Sequence, residues 1–173
     1  MSKRITVRIL FAIGAACFVA FWTWALFFAS KEAVNKIGDR QWAQRAQSIC
    51  EQSIPQLEAL ADYRTIVDVG PEIIAERAAL VDQSTDILES MLDDVVAVRP
   101  TDAKGMAIVP DWEAEYRTLL GDRHEYAGEL RRTGKNLAFY ETAVGGLPIT
   151  ERLETFAGDN EMPACAPPRD LSR

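Results

Sequence analysis

Histidine, cysteine and basic residues are scarce in this chain of 173 residues. It has one histidine and three cysteines, and its 19 lysines and arginines are outnumbered by 26 aspartates and glutamates. Nucleic-acid binding needs a basic patch that neutralises phosphates, so a formal net charge of −7 argues against a nucleic-acid partner. With 48% hydrophobic and 26% charged residues, the composition excludes a disordered chain and a multi-spanning membrane protein.

The sequence also lacks the motifs of most catalytic and cofactor sites. The single histidine, His124, would need a zinc ligand three or four positions away on a helix, and those places hold only leucine, glycine and alanine. No GxSxG elbow, glycine-rich phosphate loop, EF-hand ligand series or CxxCH haem motif is present. We therefore expect no enzyme, cofactor or metal site, and we expect His124 to lie at the surface near Asp122 and Glu125.

One long apolar run is present near the start of the chain. Residues 9–30 are 22 consecutive residues without a charge. A bilayer core of about 30 Å needs about 20 helical residues. The run therefore predicts a transmembrane anchor over residues 9–30 that contacts the lipid bilayer.

Two processing alternatives compete with an uncleaved anchor. A signal peptide cleaved after Ala29 would place Phe27 where a small residue is preferred, and its apolar core would be unusually long. A lipoprotein signal at Cys17 would lack the large aliphatic residue that normally stands three places before the cysteine, and the apolar run continues beyond it. Hydrophobic length favours the uncleaved anchor.

Charges around the run favour a cytoplasmic amino terminus. Lys3, Arg4 and Arg8 precede the run without any acid, whereas residues 31–45 carry both signs. The positive-inside bias therefore predicts that residues 1–8 are cytoplasmic. Eight residues are too few for a kinase, cyclase or coiled-coil output, so we expect no signalling domain on that side.

The two cysteines outside the run, Cys50 and Cys165, predict a disulfide. They form no CxxC motif, and an even pair is typical of an oxidising compartment. Such a bond would stabilise the fold by roughly 4 to 5 kcal/mol on the chain-entropy model. The alternative is two unrelated buried thiols in a cytosolic domain. Together with the flanking charges, the pair places residues 31–173 on the extracytoplasmic side.

Apolar periodicity predicts helices in the rest of the chain. The pattern favours a first helix over residues 31–64, with either a kink near residues 51–54 or a new helix starting at Pro55. A second helix should run from Pro71 to about Val96, because proline is favoured at the first helical position. A third should begin at Asp111, a good N-cap, and stop at Gly134.

The carboxyl-terminal part of the chain has weaker signals. Residues 137–144 are ambiguous between a short helix and an extended piece, and a short fourth helix should run from Thr150 to Gly158. The proline-rich residues 159–173 predict an extended tail outside the core that the disulfide joins to the domain.

These elements predict an all-α fold. A single transmembrane helix would precede an antiparallel bundle of three long helices and a short fourth, spanning residues 31–158. Short connections favour this arrangement because they place successive amphipathic helices side by side.

Two surface features of this bundle are candidate interaction sites. The second helix carries an acidic face, which is either a solvated surface or a docking surface for a basic partner or divalent cations. Residues 98–110 form a predicted loop whose apolar residues would contact headgroups or a membrane partner, or plug the bundle. The acidic face is Asp82, Asp86, Glu89 and Asp93, and the apolar loop residues are Met106, Ile108 and Val109.

The sequence therefore favours a non-catalytic accessory or scaffolding subunit of a membrane or envelope complex, with another membrane or envelope protein as partner. Arginine outnumbers lysine by 14 to 5, which leans toward a bacterial source. The first alternative is a membrane-tethered binding domain for a small molecule or cell-wall component, and the second is an envelope hydrolase with His124 in a cleft. The binding pocket would lie between helices and use Trp42, Trp112, Tyr116 or Tyr126, unless these rings pack the core.

Overall fold

The chain is mostly helical, and its elements fall into two compact units that divide between Ala33 and Val34. In the described residues the first unit has one helix, and the second has four helices, a short hairpin and a turn of 3-10 helix. The computed structural model describes three stretches and one isolated residue: 3–28, 33–62, 64 and 69–171.

The first unit is the helix α1, Lys3–Phe27. Its segment Val7–Phe27 is long and apolar enough to cross a membrane, and none of it is buried. At 1.5 Å per residue a segment of 21 residues is about 31 Å long, which matches a bilayer core. A signal sequence near the amino terminus can also be this long and apolar, so α1 is a candidate membrane span.

Helix α2, Arg40–Ala59, is shorter than the helix predicted over residues 31–64. Asp39 caps its first turn by accepting a hydrogen bond from the Trp42 backbone N–H. Pro55 lies inside α2, so the predicted restart at that residue is wrong. The helix tolerates the lost hydrogen bond because Glu51, whose carbonyl oxygen loses its donor, is exposed and can be hydrated.

Helix α3, Pro71–Val96, has the predicted bounds. Pro71 stands at the first turn, where its missing N–H costs nothing, and Glu72 lies in the positive end of the helix dipole. One face of the helix is buried. That face is formed by Ile74, Ala78, Val81, Ser84, Thr85, Leu88, Met91, Leu92 and Val95.

Helix α4, Ala103–Thr133, begins eight residues before the predicted start at Asp111. Asp102 is its N-cap and Pro110 lies within it, so most of the predicted loop at 98–110 is helix. Gly134 ends it with φ of 62°, in the left-handed region that glycine adopts without strain.

The predicted apolar loop is therefore wrong in conformation. Val109 is buried in the core, Ile108 is half-buried against it, and only Met106 is exposed. Two of the three side chains thus pack inside the domain, while contact of Met106 with a membrane or a partner stays a prediction.

After α4 the chain makes a short hairpin and a last helix. Strands β1, Ala143–Val144, and β2, Leu147–Pro148, pair antiparallel around two glycines with positive φ. Helix α5, Ile149–Asp159, follows directly. Residues 135–142 form neither helix nor strand, which resolves the ambiguous region mainly as irregular chain.

The segment after α5 is packed and is not the predicted extended tail. It contains the 3-10 turn Pro163–Cys165, and the side chains of Met162 and Cys165 are fully buried. Leu171 is also buried, against the first turns of α3 and the last turns of α4. We call residues 160–171 the C-terminal strap.

Two apolar clusters form the interior. The larger joins α2, α3, α4, α5 and the strap around Trp112, which stacks on Phe156 and meets Trp42 and Tyr116 edge to face. The smaller cluster, which we call the apolar end, consists of Ile74, Ala78, Val81, Tyr126, Ala127, Leu130 and Leu171.

Candidate functional site

Two reciprocal aspartates tie the start of α2 to the start of α4, and we call them the aspartate clamp. Asp39 caps α2 and also accepts hydrogen bonds from the backbone N–H and hydroxyl of Thr101, at 2.9 and 2.7 Å. Asp102 caps α4 through the Gly105 N–H and also accepts from the N–H groups of Gly38 and Asp39, at 3.1 and 3.0 Å. Each carboxylate therefore serves its own helix and the chain preceding the other.

The clamp lowers the pKa of both carboxyl groups. The hydrogen bond from the Trp42 N–H is the largest cause for Asp39, followed by those from Thr101. Burial alone would raise the pKa of Asp102, but hydrogen bonds from Gly105, Gly38 and Asp39 together lower it. Both groups are thus held ionised, because hydrogen bonds to a carboxylate favour its charged form.

The start of the strap reinforces this end of the domain. The Asn160 side chain accepts a hydrogen bond from the Ile37 N–H at 2.8 Å and donates one to the Asn35 carbonyl oxygen at 3.0 Å. Glu161 pairs with Arg40 and with Lys36, which lowers the pKa of Glu161. The chain between residues 35 and 40 is therefore bound to two other parts of the domain.

The predicted acidic face of α3 is divided by its contacts with α4. Asp82 pairs with Arg131, and Asp93 pairs with Arg117 at 2.8 Å. Each of these two carboxylates thus forms an ion pair with an arginine of α4. Asp86 and Glu89 form no ion pair with any described residue, so they are the two unpaired carboxylates of the predicted acidic face, whose docking role stays a prediction.

His124 lies beside these two carboxylates. One ligand atom each from Asp86, Glu89 and His124 can be chosen so that all three lie within 4.8 Å of one another. The His124 Nδ1 atom is 3.3 Å from an Asp82 carboxylate oxygen. We call Asp86, Glu89 and His124 the histidine–carboxylate cluster, and all three are exposed.

Sequence reasoning missed this cluster because it searched for ligands only on the helix of His124. The neighbouring side chains that could bind a metal, Asp86 and Glu89, lie on α3 across the contact between the two helices. The register in which α3 and α4 pack pairs Asp93 with Arg117 and also places Asp86 beside His124. That register depends on how α3 and α4 pack against each other, which the sequence pattern did not provide.

The Cys50–Cys165 disulfide predicted from the sequence is present. It joins α2 to the 3-10 turn of the strap, with the two Cα atoms 5.1 Å apart and both side chains fully buried. The Gln47 side-chain oxygen accepts a hydrogen bond from the Ala164 N–H at 2.9 Å beside it. The strap is therefore held on α2 by a covalent bond and a polar contact.

Arg123 is a buried charge that the sequence analysis did not identify. Its guanidinium is 2% exposed and donates to Thr85, Ser84 and both carboxylate oxygens of Asp170. The hydroxyls of Ser84 and Thr85 on the otherwise apolar face of α3 were the available signal. Arg123 thus fastens the end of the strap to α3 and α4.

The aromatic side chains proposed to line a pocket are core residues instead. Trp42, Trp112 and Tyr116 are at most 2% exposed, and burial raises the pKa of Tyr116. Tyr126 packs edge to face on Phe139. The pocket between helices predicted from these four rings is therefore filled by the rings themselves.

An apolar groove of about 480 Å³ runs between α2, α3 and the strap. Ile54 and Leu57 of α2 face Leu88 and Met91 of α3 across it, and the strap closes it along one side. This volume lies within the roughly 300–1,000 Å³ range of small-molecule sites. The prolines of the strap that border it are Pro163, Pro167 and Pro168.

The chain matches no family model, no curated protein and no solved structure.

Proposed function

We propose that the protein is a non-catalytic, single-pass membrane protein whose helical domain is extracytoplasmic and serves as an accessory or scaffolding subunit of a bacterial membrane or envelope complex. The main observation in support of this proposal is the buried Cys50–Cys165 disulfide in a domain preceded by an apolar helix of membrane-spanning length. Disulfides persist in oxidising compartments and are rare in the cytosol. The two features together favour an anchored domain outside the cytoplasm.

The proposed orientation places residues 1–8 in the cytoplasm. Lys3, Arg4 and Arg8 lie at the start of α1 without any acid, and short basic flanks of this kind are retained inside. The following domain can cross despite its charges because long segments are translocated largely regardless of them.

The proposed architecture of the domain is an antiparallel bundle. Along α3 the residues Thr85 and Asp93 contact Arg123 and Arg117 of α4, so the contacts run in opposite order along the two helices. Such a bundle has a filled aromatic centre and a strap fixed at both ends. These features suit a rigid scaffold that binds its partner through exposed surfaces.

Cysteine accessibility in spheroplasts of a bacterial expression host tests the topology. Tyr140 is 85% exposed, so a Tyr140→Cys variant of the full chain should react with a membrane-impermeant maleimide in intact spheroplasts. A Ser2→Cys variant is the matched control and should react only after the membrane is permeabilised. Reaction of Tyr140→Cys only after permeabilisation, or a mature chain that begins after α1, would contradict the anchored topology.

Photo-crosslinking in native membranes tests the subunit role. A photoreactive amino acid placed at Ile54 in the groove or at Glu89 on the acidic face should give a discrete adduct with another membrane or envelope protein. The same substitution at Gly14 within α1 reports contacts made by the anchor alone. A domain that yields no protein adduct at either exposed position would contradict the role.

A ligand-binding domain is the second candidate, and the apolar groove is the observation that favours it. A small molecule or cell-wall fragment bound between Ile54, Leu57 and Met91 would raise the thermal midpoint of the domain by mass action. Ile54→Lys should remove that shift, whereas Val98→Lys, an exposed apolar position that does not line the groove, should retain it. If no fragment in a panel of cell-wall components shifts the midpoint, the candidate fails.

A further inference from the structure

The histidine–carboxylate cluster has the donor atoms of a metal site on two adjacent helices. Asp86 and Glu89 stand three residues apart on α3, a spacing that places both on one side of a helix. His124 approaches them from α4, and the three ligand atoms lie within 4.8 Å of one another. Bonds of about 2.0–2.2 Å in a tetrahedral site place ligand atoms roughly 3.3–3.6 Å apart. Rotations of exposed side chains can close that difference.

The charges around the cluster leave two carboxylates for a cation. The acids on either side along α3, Asp82 and Asp93, are already paired with arginines of α4. Asp86 and Glu89 have no such partner among the described residues, and like charges this close on a helix repel each other. A bound cation would remove that repulsion.

The Asp82 carboxylate orients the imidazole of His124. It lies 3.3 Å from Nδ1, so a hydrogen bond donated by a protonated Nδ1 would leave Nε2 free to bind a metal. Asp82 is in turn held by Arg131. A carboxylate behind a histidine in this way fixes the tautomer and strengthens the imidazole as a ligand.

The helices that carry the cluster are braced on both sides. The Asp82–Arg131 pair lies on one side and the Asp93–Arg117 pair on the other, while Arg123 joins α3 and α4 beneath, through Ser84 and Thr85. The helix backbones that carry the ligands therefore need little reorganisation, and rotation of the three side chains completes the site.

We propose that Asp86, Glu89 and His124 bind one divalent transition-metal cation of the zinc class. One imidazole nitrogen and two carboxylate oxygens suit Zn²⁺, whereas Mg²⁺ and Ca²⁺ prefer oxygen ligands alone. Three protein ligands leave a coordination position open to water or to a donor group of another molecule. This proposal does not depend on the membrane topology or the subunit role proposed above.

Zinc titration of the full chain tests the site directly. The chain is purified in mild detergent without a polyhistidine tag, stripped with chelator, and labelled with ¹⁵N-histidine. Because the chain has one histidine, every imidazole signal in the spectrum reports on His124. We expect Zn²⁺ to shift the Nε2 signal with 1:1 stoichiometry, in agreement with calorimetry, and Mg²⁺ to leave it unchanged.

Charge-matched variants separate ligation from general attraction to an acidic surface. Asp86→Asn and Glu89→Gln should each weaken Zn²⁺ binding by about tenfold or more. Loss of a residue that only hydrogen-bonds a metal ligand already lowers metal affinity by about tenfold, and these two residues are proposed as ligands themselves. His124→Ala should abolish the 1:1 binding. Glu125→Gln removes an equal charge next to His124 but no ligand, and at 0.15 M salt it should change the affinity by no more than about twofold.

Two results would overturn the proposal. The first is the absence of a 1:1 isotherm and of any shift of the His124 Nε2 signal at millimolar Zn²⁺. The second is an equal loss of affinity in Glu125→Gln and Asp86→Asn, because that pattern would mean diffuse attraction and not a site. All four positions are exposed, so the variants should fold, and circular dichroism checks that they do.

Discussion

The two ends of the helical domain are built from different chemistry. At the clamp end, Asp39 and Asp102 cap α2 and α4 with ionised carboxylates. At the apolar end, α3 begins at Gly70 and Pro71 without any side-chain cap, and α4 ends at Gly134. Carboxylates thus cap the two helices that begin at the clamp end, whereas glycine and proline mark the helix boundaries at the apolar end without a side-chain cap.

This difference assigns different sensitivities to the two ends. Hydrogen bonds to carboxylates depend on pH, whereas the contacts of Ile74, Leu130 and Leu171 at the apolar end depend on buried area. The C-terminal strap joins the two ends, since Asn160 contacts the chain before α2 and Leu171 packs at the apolar end. Disturbing the strap should therefore affect the whole domain, and disturbing the clamp should affect one end.

Loss of the disulfide should have the largest effect. In Cys50→Ala/Cys165→Ala the free energy of unfolding should fall by about 4 kcal/mol, because the bond closes a loop of more than 100 residues. Urea unfolding of the detergent-solubilised chain, followed by near-ultraviolet circular dichroism of the buried rings, measures it. Cys17→Ala, outside the domain, is the control and should leave the midpoint unchanged. An unchanged midpoint in the double variant would mean that Arg123 and the strap contacts suffice.

A methyl group at Gly105 should disturb the clamp. A Cβ there would lie 2.6 Å from an Asp102 carboxylate oxygen and 2.8 Å from Pro100 Cβ. Gly105→Ala should therefore lower the free energy of unfolding by about 2 kcal/mol, as overpacking does.

A second glycine of α4 provides the matched control for Gly105→Ala. A Cβ at Gly121 meets nothing within 4 Å, so Gly121→Ala should stabilise the helix by up to about 1 kcal/mol. The two variants, compared by urea unfolding, should thus shift the midpoint in opposite directions. Equal shifts would contradict the close approach described at the clamp.

The same contrast explains which elements could be predicted from the sequence. Local signals were sufficient for α3, because Pro71 and the apolar spacing both mark its bounds, and for the disulfide, because only two cysteines lie outside α1. They failed for α4, because Pro110 looks like a helix breaker unless its missing hydrogen bond lies on a solvated face. The true start depends on Asp102, whose carboxylate also binds the chain before α2.

Long-range contacts account for the remaining misses. The strap has the proline content of an exposed tail, yet Met162 and Leu171 are buried by α2, α3 and α4. The histidine–carboxylate cluster requires the register between α3 and α4, which no spacing within either helix contains. Sequence periodicity thus identified the faces of helices, and tertiary packing determined which of their polar residues meet.

Acid should weaken the clamp end before the apolar end. We expect this effect on stability to be smaller than those of the disulfide and glycine variants. The folded-state pKa values of Asp39 and Asp102 lie below the ordinary value of 3.8, so the unfolded chain binds protons more readily than the folded one. Their contribution to stability is then fully present above the ordinary value and is lost as the pH falls through the lowered pKa. Exposed pairs such as Glu129–Arg132 also titrate but contribute little.

Hydrogen exchange can locate this acid effect within the domain. Between pH 6 and pH 2, the protection factors of the Gly38 and Gly105 amides, corrected for intrinsic exchange rates, should fall more than that of Leu130. In Asp39→Asn/Asp102→Asn these two amides should be less protected at pH 6 and should change little on acidification, because the asparagine amides accept weaker hydrogen bonds and do not titrate. A uniform loss of protection at both ends would mean that the domain opens as one unit, and the clamp would then be no more sensitive to acid than the apolar end.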